Sequence, residues 1–345
     1  MSKAFKKYAL NLLWIILFTA IALFFTLRKE FYSILEVLSH INYFWVAIII
    51  VIALIPFIFE GLVLKIFANI YCKDYSLKQG VVNGLVGGFF CGITPFSSGG
   101  QFAQIYVFKK QGVSTTNAFG ILLMYFIIYQ ISMVGYTLLI LLFKFNQFFN
   151  EFSGFASLAL VGFAVNALVI TMLLIGAISS SFQTFLTGTV LKIGHHLHLV
   201  KNYDIAKISL DQKLDDFRQE LYVMKHHKSA IIKSALCIFI KLTVQYSIPF
   251  LTMLALGQHL PFHQYFDYIG ICAFVYMITA FIPVPGASGG SEGTYALLFS
   301  YLMGNILSSS SMLIWRFTTY YLVLIIGALV FAFNKEINGR HKKGD

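Results

Sequence analysis

Apolar residues run along this chain in blocks of about 20, and short polar stretches separate the blocks. A helix rises about 1.5 Å per residue, so about 20 apolar residues cross the ~30 Å hydrocarbon core of a bilayer. Six blocks are long enough and predict full transmembrane helices. They are Tyr8 to Leu27, Tyr43 to Leu64, Thr115 to Phe143, Phe155 to Phe182, Ala230 to Leu256 and Met312 to Phe333.

Two further apolar regions, Gln79 to Lys110 and Phe262 to Gly304, are interrupted at their centres by Gly, Pro and Ser. These residues break a helix, so each region predicts a hairpin that enters and leaves on one side. The predicted fold class is an all-α polytopic membrane protein with about six full transmembrane helices and two broken or re-entrant hairpins. If the hairpins cross fully, the count becomes eight helices.

The two interruptions resemble each other. "CGITPFSSGGQ" ends at Gln101 and "FIPVPGASGGSEGTY" ends at Tyr295, and an offset of 190 residues superimposes Ser-Gly-Gly on Ser-Gly-Gly and Pro95 on Pro285. Three full spans lie between the copies, and an odd number turns the second copy upside down. Inverted repeats with broken helices near the midplane are typical of transporters. The repeat predicts a first membrane half (1–182), a cytoplasmic insert (183–229) and a second membrane half (230–345).

The insert predicts an amphipathic helix on the cytoplasmic surface, because its apolar residues recur at helical spacing with both charge signs opposite. That stripe is Ile205, Ile208, Leu214, Phe217, Leu221 and Met224.

Composition supports the membrane interpretation. Hydrophobic residues make up 58% of the chain, charged residues 11%, and the mean hydropathy is +0.78, which leaves too little polar surface for a water-soluble domain. The net charge of +11 could indicate nucleic acid. Most of its basic residues instead gather on one side of the predicted topology, including both termini and the insert, as the positive-inside rule predicts, and only Arg28, Lys29 and Lys144 are left outside. We therefore expect a bacterial cytoplasmic membrane protein with both termini cytoplasmic and no nucleic-acid partner.

The four cysteines are scattered through apolar sequence, without the spacing of a zinc or redox site. We expect no metal and no cofactor.

The candidate site is a polar cavity at the midplane. Non-helical backbone at membrane depth is stable only where protein or a wet cavity satisfies its polar groups. The residues expected to bind or translocate a substrate are Thr94, Pro95, Ser97, Ser98, Gly99, Gly100, Gln101, Gln104, Pro283, Pro285, Ser288, Gly289, Gly290, Ser291, Glu292, Lys241 and Arg316. Asn83 and Gln130 are weaker candidates.

Charges at this depth cost several kcal/mol unless they are paired or hydrated, which makes Glu292, Lys241 and Arg316 functional candidates. A purely structural pair of Glu292 with Arg316 or with Lys241 is the alternative. Glu60 and Lys233 are expected to lie near cytoplasmic helix ends and to extend toward water.

A short helix follows each motif, and its free N-terminal amides predict an anionic head group as cargo.

An intramembrane serine protease is the sharpest enzymatic alternative. "GASG" from Gly286 to Gly289 matches the Gly-x-Ser-Gly form of rhomboid proteases, with Ser288 as nucleophile. A serine nucleophile needs a histidine base within reach, and the histidines of this chain lie in loops, at span ends or in the basic tail. We do not expect an enzyme.

With these motifs in view, the chain resembles the lysylphosphatidylglycerol synthase transmembrane-region family, the membrane half of the multiple peptide resistance factors. The similarity covers nearly all 345 residues and rests on "GITPFSSGGQFAQIYVFKKQGVS", "FIPVPGASGGSEGTYALLFSYLMG" and "IWRFTTYYL". In that family a soluble synthase domain makes aminoacylated phospholipid and the membrane domain moves it outward. We expect no synthase domain beside this membrane region, so the resemblance implies lipid translocation alone.

The predicted function is a flippase for a polar-headed phospholipid or glycolipid, anionic or aminoacylated. The alternative that stays open is a membrane subunit associated with lysylphosphatidylglycerol synthesis, which scaffolds or presents lipid to a separate lipid-modifying enzyme without moving it. The sequence leaves the oligomeric state undetermined.

Overall fold

The structure, a computed structural model, describes residues 31–151, 162–168, 171–172, 175, 188–189, 192, 196, 202–280 and 282–338. Regular structure there is helical throughout. The labelled helices are α1 (Phe31–Ser39), α2 (Tyr43–Tyr71), α3 (Leu77–Ile93), α4 (Gly99–Lys110), α5 (Thr115–Glu151), α6 (Tyr203–His226), α7 (Lys228–Tyr246), α8 (Ile248–Ala255), α9 (Tyr265–Thr279), α10 (Gly290–Arg316), α11 (Leu322–Phe333) and α12 (Lys335–Asn338). The predicted span Tyr8 to Leu27, and most of Phe155 to Phe182, lie outside the described residues.

Four helical segments of the described chain are long and apolar enough to cross a membrane. They are Tyr43–Tyr71, Thr115–Lys144, Lys228–Ala255 and Pro285–Phe333. Each covers all or nearly all of one of the predicted spans, so the all-α membrane class is confirmed. The total of six spans and two hairpins stays a prediction.

The helix α10 reverses direction at Gly304. This glycine has φ 74° and ψ 169°, which are not helical angles. Across it, Arg316 Nη2 donates to Ser288 Oγ at 3.2 Å, although the two residues are 28 apart in sequence. In a straight helix they would be about 42 Å apart. The helix therefore consists of two antiparallel arms, 290–303 and 305–316, and the last apolar helix begins about seven residues before the predicted Met312.

The first hairpin consists of α3, a 3₁₀ turn at Pro95–Ser97 and α4. Helix α3 starts with a capping box, in which Ser76 Oγ accepts from Gln79 N and Gln79 Oε1 accepts from Ser76 N. It ends before Pro95, which has no N–H and disfavours a helical residue ahead of it.

Gln111 closes the base of this hairpin. Its Nε2 donates to the Gln79 carbonyl at 3.0 Å and its Oε1 accepts from Tyr75 Oη at 2.6 Å. Burial raises the pKa of the Tyr75 hydroxyl well above its usual range, which keeps the hydroxyl protonated as the donor of that bond.

The second hairpin consists of α9, a 3₁₀ turn at Pro285–Ala287 and the 290–303 arm. Its turn has the backbone geometry of the first turn at an offset of 190 residues. Phe96 has φ 53° and ψ 21°, and Gly286 has φ 60° and ψ 18°. The next residues, Ser97 and Ala287, have φ 53° and 51°. The similarity of the two motifs therefore extends to an uncommon left-handed conformation.

The tips of the two hairpins, Pro95–Ser97 and Pro285–Ala287, contact each other. The last helical stretch, which consists of the 305–316 arm, α11 and α12, runs past both tips. Its beginning packs on the second hairpin, Tyr320 Oη donates to the Gly92 carbonyl at 3.0 Å, and Ile337 packs on Val82 near the base of the first hairpin. Helix α5 connects the same two ends, since it starts next to α4 and Lys144 contacts Asp267 in the first turn of α9 at 2.9 Å. The hairpins thus point toward each other from opposite ends of the bundle.

Close glycine contacts hold the first hairpin against α2. A Cβ added to Gly80 would overlap the carbonyl group of Gly61, and one added to Gly61 would lie 2.5 Å from Val81 N. Backbones approach this closely only where both residues lack side chains.

Helix α6 is the helix predicted in the insert. Ile205 and Ile208 of the predicted stripe are 67% and 68% exposed, and the helix packs on α5 and α7.

Candidate functional site

A cavity of about 650 Å³ lies where the two hairpin tips meet helices α2, α5, α7 and the last helical stretch. Its walls are mostly aromatic and aliphatic, with a few polar groups that converge on the interior. This is the general character of a small-molecule site. Three of its lining residues carry a formal charge: Glu60, Lys241 and Arg316.

The first charged group is a pair between Glu60 of α2 and Lys241 of α7. Lys241 Nζ lies 2.7 Å from Glu60 Oε2. The lysine side chain is 9% exposed and the glutamate side chain 13%. Such a pair avoids the cost of a single charge in an apolar interior.

Two tyrosines of α5 complete the surroundings of Lys241. Its Nζ donates to Tyr125 Oη at 2.8 Å and lies 5.5 Å and 5.4 Å from the ring centres of Tyr125 and Tyr129. The two rings stack at 5.9 Å. A cation over aromatic faces gains electrostatic stabilisation, so this pocket suits an ammonium group.

The first hairpin contacts this pair through Gln104. Gln104 Nε2 lies 3.4 Å from Glu60 Oε1, and the Gln104 carbonyl accepts from Asn83 Nδ2 at 3.3 Å. The weaker candidate Asn83 therefore supports Gln104 from behind and does not line the cavity.

The second charged group is a pair between Glu292 and Arg316 on the two arms of α10. Arg316 Nε lies 2.8 Å from Glu292 Oε1. Arg316 Nη2 also donates to the Gly286 carbonyl at 2.8 Å, and the guanidinium stacks on Tyr320 at 3.8 Å. The glutamate is completely buried, so the arginine separates it from the cavity. Of the two pairings considered for Glu292, the structure has the one with Arg316.

Glu292 also caps the helix that it begins. Its Oε2 accepts from Gly289 N at 2.8 Å and from Ser291 Oγ at 3.0 Å. At the first hairpin, Thr94 Oγ1 accepts from Gly99 N at 2.8 Å. The amides of Gly99 and Gly289, which we expected to be free to bind an anion, thus donate to side chains of the protein itself. At Gly289 the acceptor is the Glu292 carboxylate, whose negative charge would repel an anionic head group. The expectation that both helix N-termini serve as anion sites is wrong at the second hairpin.

Six of the predicted site residues line the cavity: Ser97, Gln101, Gln104, Lys241, Ser291 and Arg316. The others lie in or behind the hairpin turns: Thr94, Pro95, Ser98, Gly99, Gly100, Pro283, Pro285, Ser288, Gly289, Gly290 and Glu292. The weaker candidate Gln130 lines the cavity as well.

The two tips differ in exposure. Pro95, Phe96, Ser97 and Ser98 are exposed, whereas Pro285 and Ser288 are buried. The Ser288 hydroxyl accepts a bond from Arg316, and an arginine cannot take a proton from a serine. This environment does not favour the protease interpretation.

The sequence analysis assigned Glu60 wrongly and did not select Tyr125 or Tyr129. Glu60 was expected to extend toward water near a helix end, but α2 continues to Tyr71. The glutamate therefore lies about 16 Å inside the helix end at 1.5 Å per residue. A useful signal was available, since Glu60 is the one carboxylate in the apolar stretch 43–64.

A family model described as "Lysylphosphatidylglycerol synthase TM region" matches residues 12–327. No curated protein and no solved structure matches the chain.

Proposed function

The chain belongs to the family of lysylphosphatidylglycerol synthase TM regions, and from that membership and the geometry of the cavity we propose that it moves a polar-headed lipid between the two leaflets of a membrane. The observation that carries the proposal is the cavity itself. It holds charged and polar side chains in the middle of an apolar helical bundle, where the tips of two hairpins meet.

The lengths of the hairpin arms support a re-entrant arrangement. Helices α3, α4 and α9 have 17, 12 and 15 residues, which correspond to about 25, 18 and 22 Å. Each is shorter than the ~30 Å hydrocarbon core. We propose that the hairpins enter from opposite faces and meet near the midplane, as an inverted repeat.

Two sides of the cavity would then come from elements of opposite orientation. Small relative movements of the two halves could open the cavity to one face and close it to the other, which is the usual basis of alternating access. The head group would enter the cavity while the acyl chains stay in the bilayer. The exposed polar residues Ser97 of the tip and Gln101 of α4 would contact a head group at this depth.

We further propose the cytoplasmic membrane of a bacterium as the location, with both termini on the cytoplasmic side. The support is the distribution of basic residues, most of which lie on the cytoplasmic side in this arrangement, as the positive-inside rule predicts.

The experiment is a transport measurement on the purified full chain in proteoliposomes. A lipid with a fluorescent label on one acyl chain is distributed over both leaflets, and dithionite quenches the label in the outer leaflet. If the protein moves the lipid, dithionite quenches more than the half of the fluorescence that starts in the outer leaflet. The quenching is then faster than in protein-free vesicles. Quenching that stops at the protein-free level rejects the flippase and leaves a lipid-presenting subunit as the function to test.

Matched variants connect the transport to the cavity. Lys241→Ala and Glu292→Gln should each slow the exchange at least about tenfold, because each leaves a buried partner uncompensated. Lys233→Ala is the control, since Lys233 is an exposed lysine on the same helix α7. Equal rates for all three variants and the wild type would place the lipid path elsewhere.

A further inference from the structure

The charged residues at the cavity balance. Glu60, Lys241 and Arg316 line it, and Glu292 is paired with Arg316, which gives two carboxylates and two cations. The four charges at the cavity therefore add to zero. The predicted spans 8–27 and 155–182, which lie wholly or mostly outside the described residues, contain no Asp, Glu, Lys or Arg that would change this sum.

Both ion pairs belong to one cavity. Glu60 and Lys241 lie on one wall, and Arg316 reaches the cavity from the end of the 305–316 arm of α10, with its partner Glu292 behind it. Since each charge contacts its opposite at 2.7 or 2.8 Å, the cavity is electrically neutral and carries no unbalanced charge for a cargo to neutralise.

A neutral cavity discriminates between head groups by their net charge. A head group with one uncompensated charge would add that charge to a poorly hydrated interior, which is costly. A head group with one positive and one negative charge adds none. It can also exchange partners with the resident pair, so that its phosphate contacts Lys241 while its amine contacts Glu60.

The walls next to the pair suit both ends of such a head group. The faces of Tyr125 and Tyr129, which now lie 5.5 and 5.4 Å from the Lys241 ammonium, can hold an amine or a quaternary ammonium. Gln104 and the exposed Ser97 and Gln101 offer neutral hydrogen-bond donors to phosphate oxygens.

We propose that the cavity, because its two buried ion pairs cancel, selects lipids whose head group is zwitterionic, with one phosphate and one cationic amine. This inference rests on the proposed function. It narrows the expected cargo: an aminoacylated phospholipid fits if its head group carries a single amine, and a purely anionic lipid does not.

The test compares two lipids that differ in head-group charge. Phosphatidylcholine and phosphatidylglycerol, each with the fluorescent label on an acyl chain, are measured as trace components in the same proteoliposomes. Phosphatidylcholine should cross at least about tenfold faster than phosphatidylglycerol. If phosphatidylglycerol crosses as fast or faster, the inference is wrong and the flippase function stands. If neither lipid crosses faster than in protein-free vesicles, the proposed function itself fails.

Variants that change the charge of the cavity make the test more specific. They should change the ratio of the phosphatidylglycerol and phosphatidylcholine transport rates, and not only the size of both rates. Glu60→Gln leaves the cavity with one excess positive charge, so the rate of phosphatidylglycerol relative to phosphatidylcholine should rise about tenfold. Lys241→Gln leaves one excess negative charge and should lower that ratio.

The double variant Glu60→Gln/Lys241→Gln restores neutrality and should return the ratio to the wild-type value. A pair with only a structural role would reduce both rates together and leave the ratio unchanged in all three variants, which overturns the inference. The wild-type ratio needs no variant, so the inference stays testable if a variant does not fold.

Discussion

Arg316 and Glu292 form an ion pair at 2.8 Å across the reversal of α10 at Gly304. The side chain of Glu292 is completely buried and that of Arg316 is 7% exposed. Because one partner lies on each arm, the pair fixes how the last helix packs on the second hairpin. It also holds the tip of that hairpin, through the bond from Arg316 to the Gly286 carbonyl.

Removing one partner of this pair should destabilise the protein strongly. Glu292→Gln leaves a buried guanidinium without its counter-charge, and the cost of breaking a buried pair is about 3–5 kcal/mol. Asp267→Asn is the matched control, because its partner Lys144 has a side chain that is 26% exposed and can be hydrated. Thermal unfolding in detergent should show a clear loss for Glu292→Gln and a small one for Asp267→Asn. Equal losses would show that burial does not set the strength of the pair.

The turn at Gly286 makes a second prediction. This glycine has φ +60°, and a Cβ there would overlap the ring of Tyr320. Gly286→Ala therefore combines the cost of a left-handed alanine, about 1–2 kcal/mol, with a steric cost of about 1–3 kcal/mol.

Gly257→Ala separates these two contributions. Gly257 has φ +75° and no atom within 4 Å of an added Cβ, so only the conformational cost applies. The melting temperature of Gly286→Ala should fall below that of Gly257→Ala. If the two variants have the same melting temperature, the contact between the turn and Tyr320 is not tight.

The hairpins could be predicted from sequence because turn chemistry is local. Proline and glycine limit the backbone wherever they occur, so "TPFSSGG" and "VPGASGG" indicate interruptions without knowledge of any partner. The offset of 190 residues then relates Phe96 to Gly286, and their dihedral angles agree within 10°.

The start of the last helix was predicted too late for a physical reason. Ser308, Ser309, Ser310 and Ser311 lower the local hydropathy, yet all four are buried. Their hydroxyls find partners in the helices: Ser308 donates to the Ala296 carbonyl at 2.6 Å, and Ser310 to the Ile306 carbonyl at 2.9 Å. A hydropathy window cannot distinguish a satisfied serine from an exposed one.

The Glu60–Lys241 pair could not be predicted, because it depends on the packing of α2 against α7. The two residues are 181 apart in sequence, and no local pattern connects them. The contact of Tyr125 and Tyr129 with Lys241 could not be predicted for a similar reason. They are two of the 19 tyrosines in the chain, and their contact with Lys241 depends on the packing of α5 against α7.

The crossing of α2 and α3 gives a third prediction. Gly80→Ala places a methyl group against the backbone of Gly61 and should cost about 1–3 kcal/mol, because backbone cannot move aside as a side chain can. Gly135→Ala is the control. Gly135 lies in the helix α5 with nothing within 4 Å of an added Cβ, so alanine there should be neutral or stabilise by about 0.5–1 kcal/mol. A loss of thermal stability in both variants would argue against a specific contact at the crossing.

The opposite orientation of the hairpins is tested by labelling single cysteines in sealed vesicles of known orientation. Thr115 lies next to the base of the first hairpin, and His259 lies shortly before the second; both are exposed. With the four native cysteines replaced by alanine or serine, Thr115→Cys and His259→Cys should react with a membrane-impermeant maleimide from opposite faces.

Cysteines in the helices that follow the two tips provide the matching measurement at depth. Gln101 and Ser291 line the same cavity, so Gln101→Cys and Ser291→Cys should react from the same face in any one state of the protein. Head-group lipid in the cavity should protect both. If Thr115→Cys and His259→Cys react from one face only, the two hairpins enter from the same side. The last helix could not then run from the base of one hairpin to the base of the other across the membrane, and alternating access by two inverted halves would be excluded.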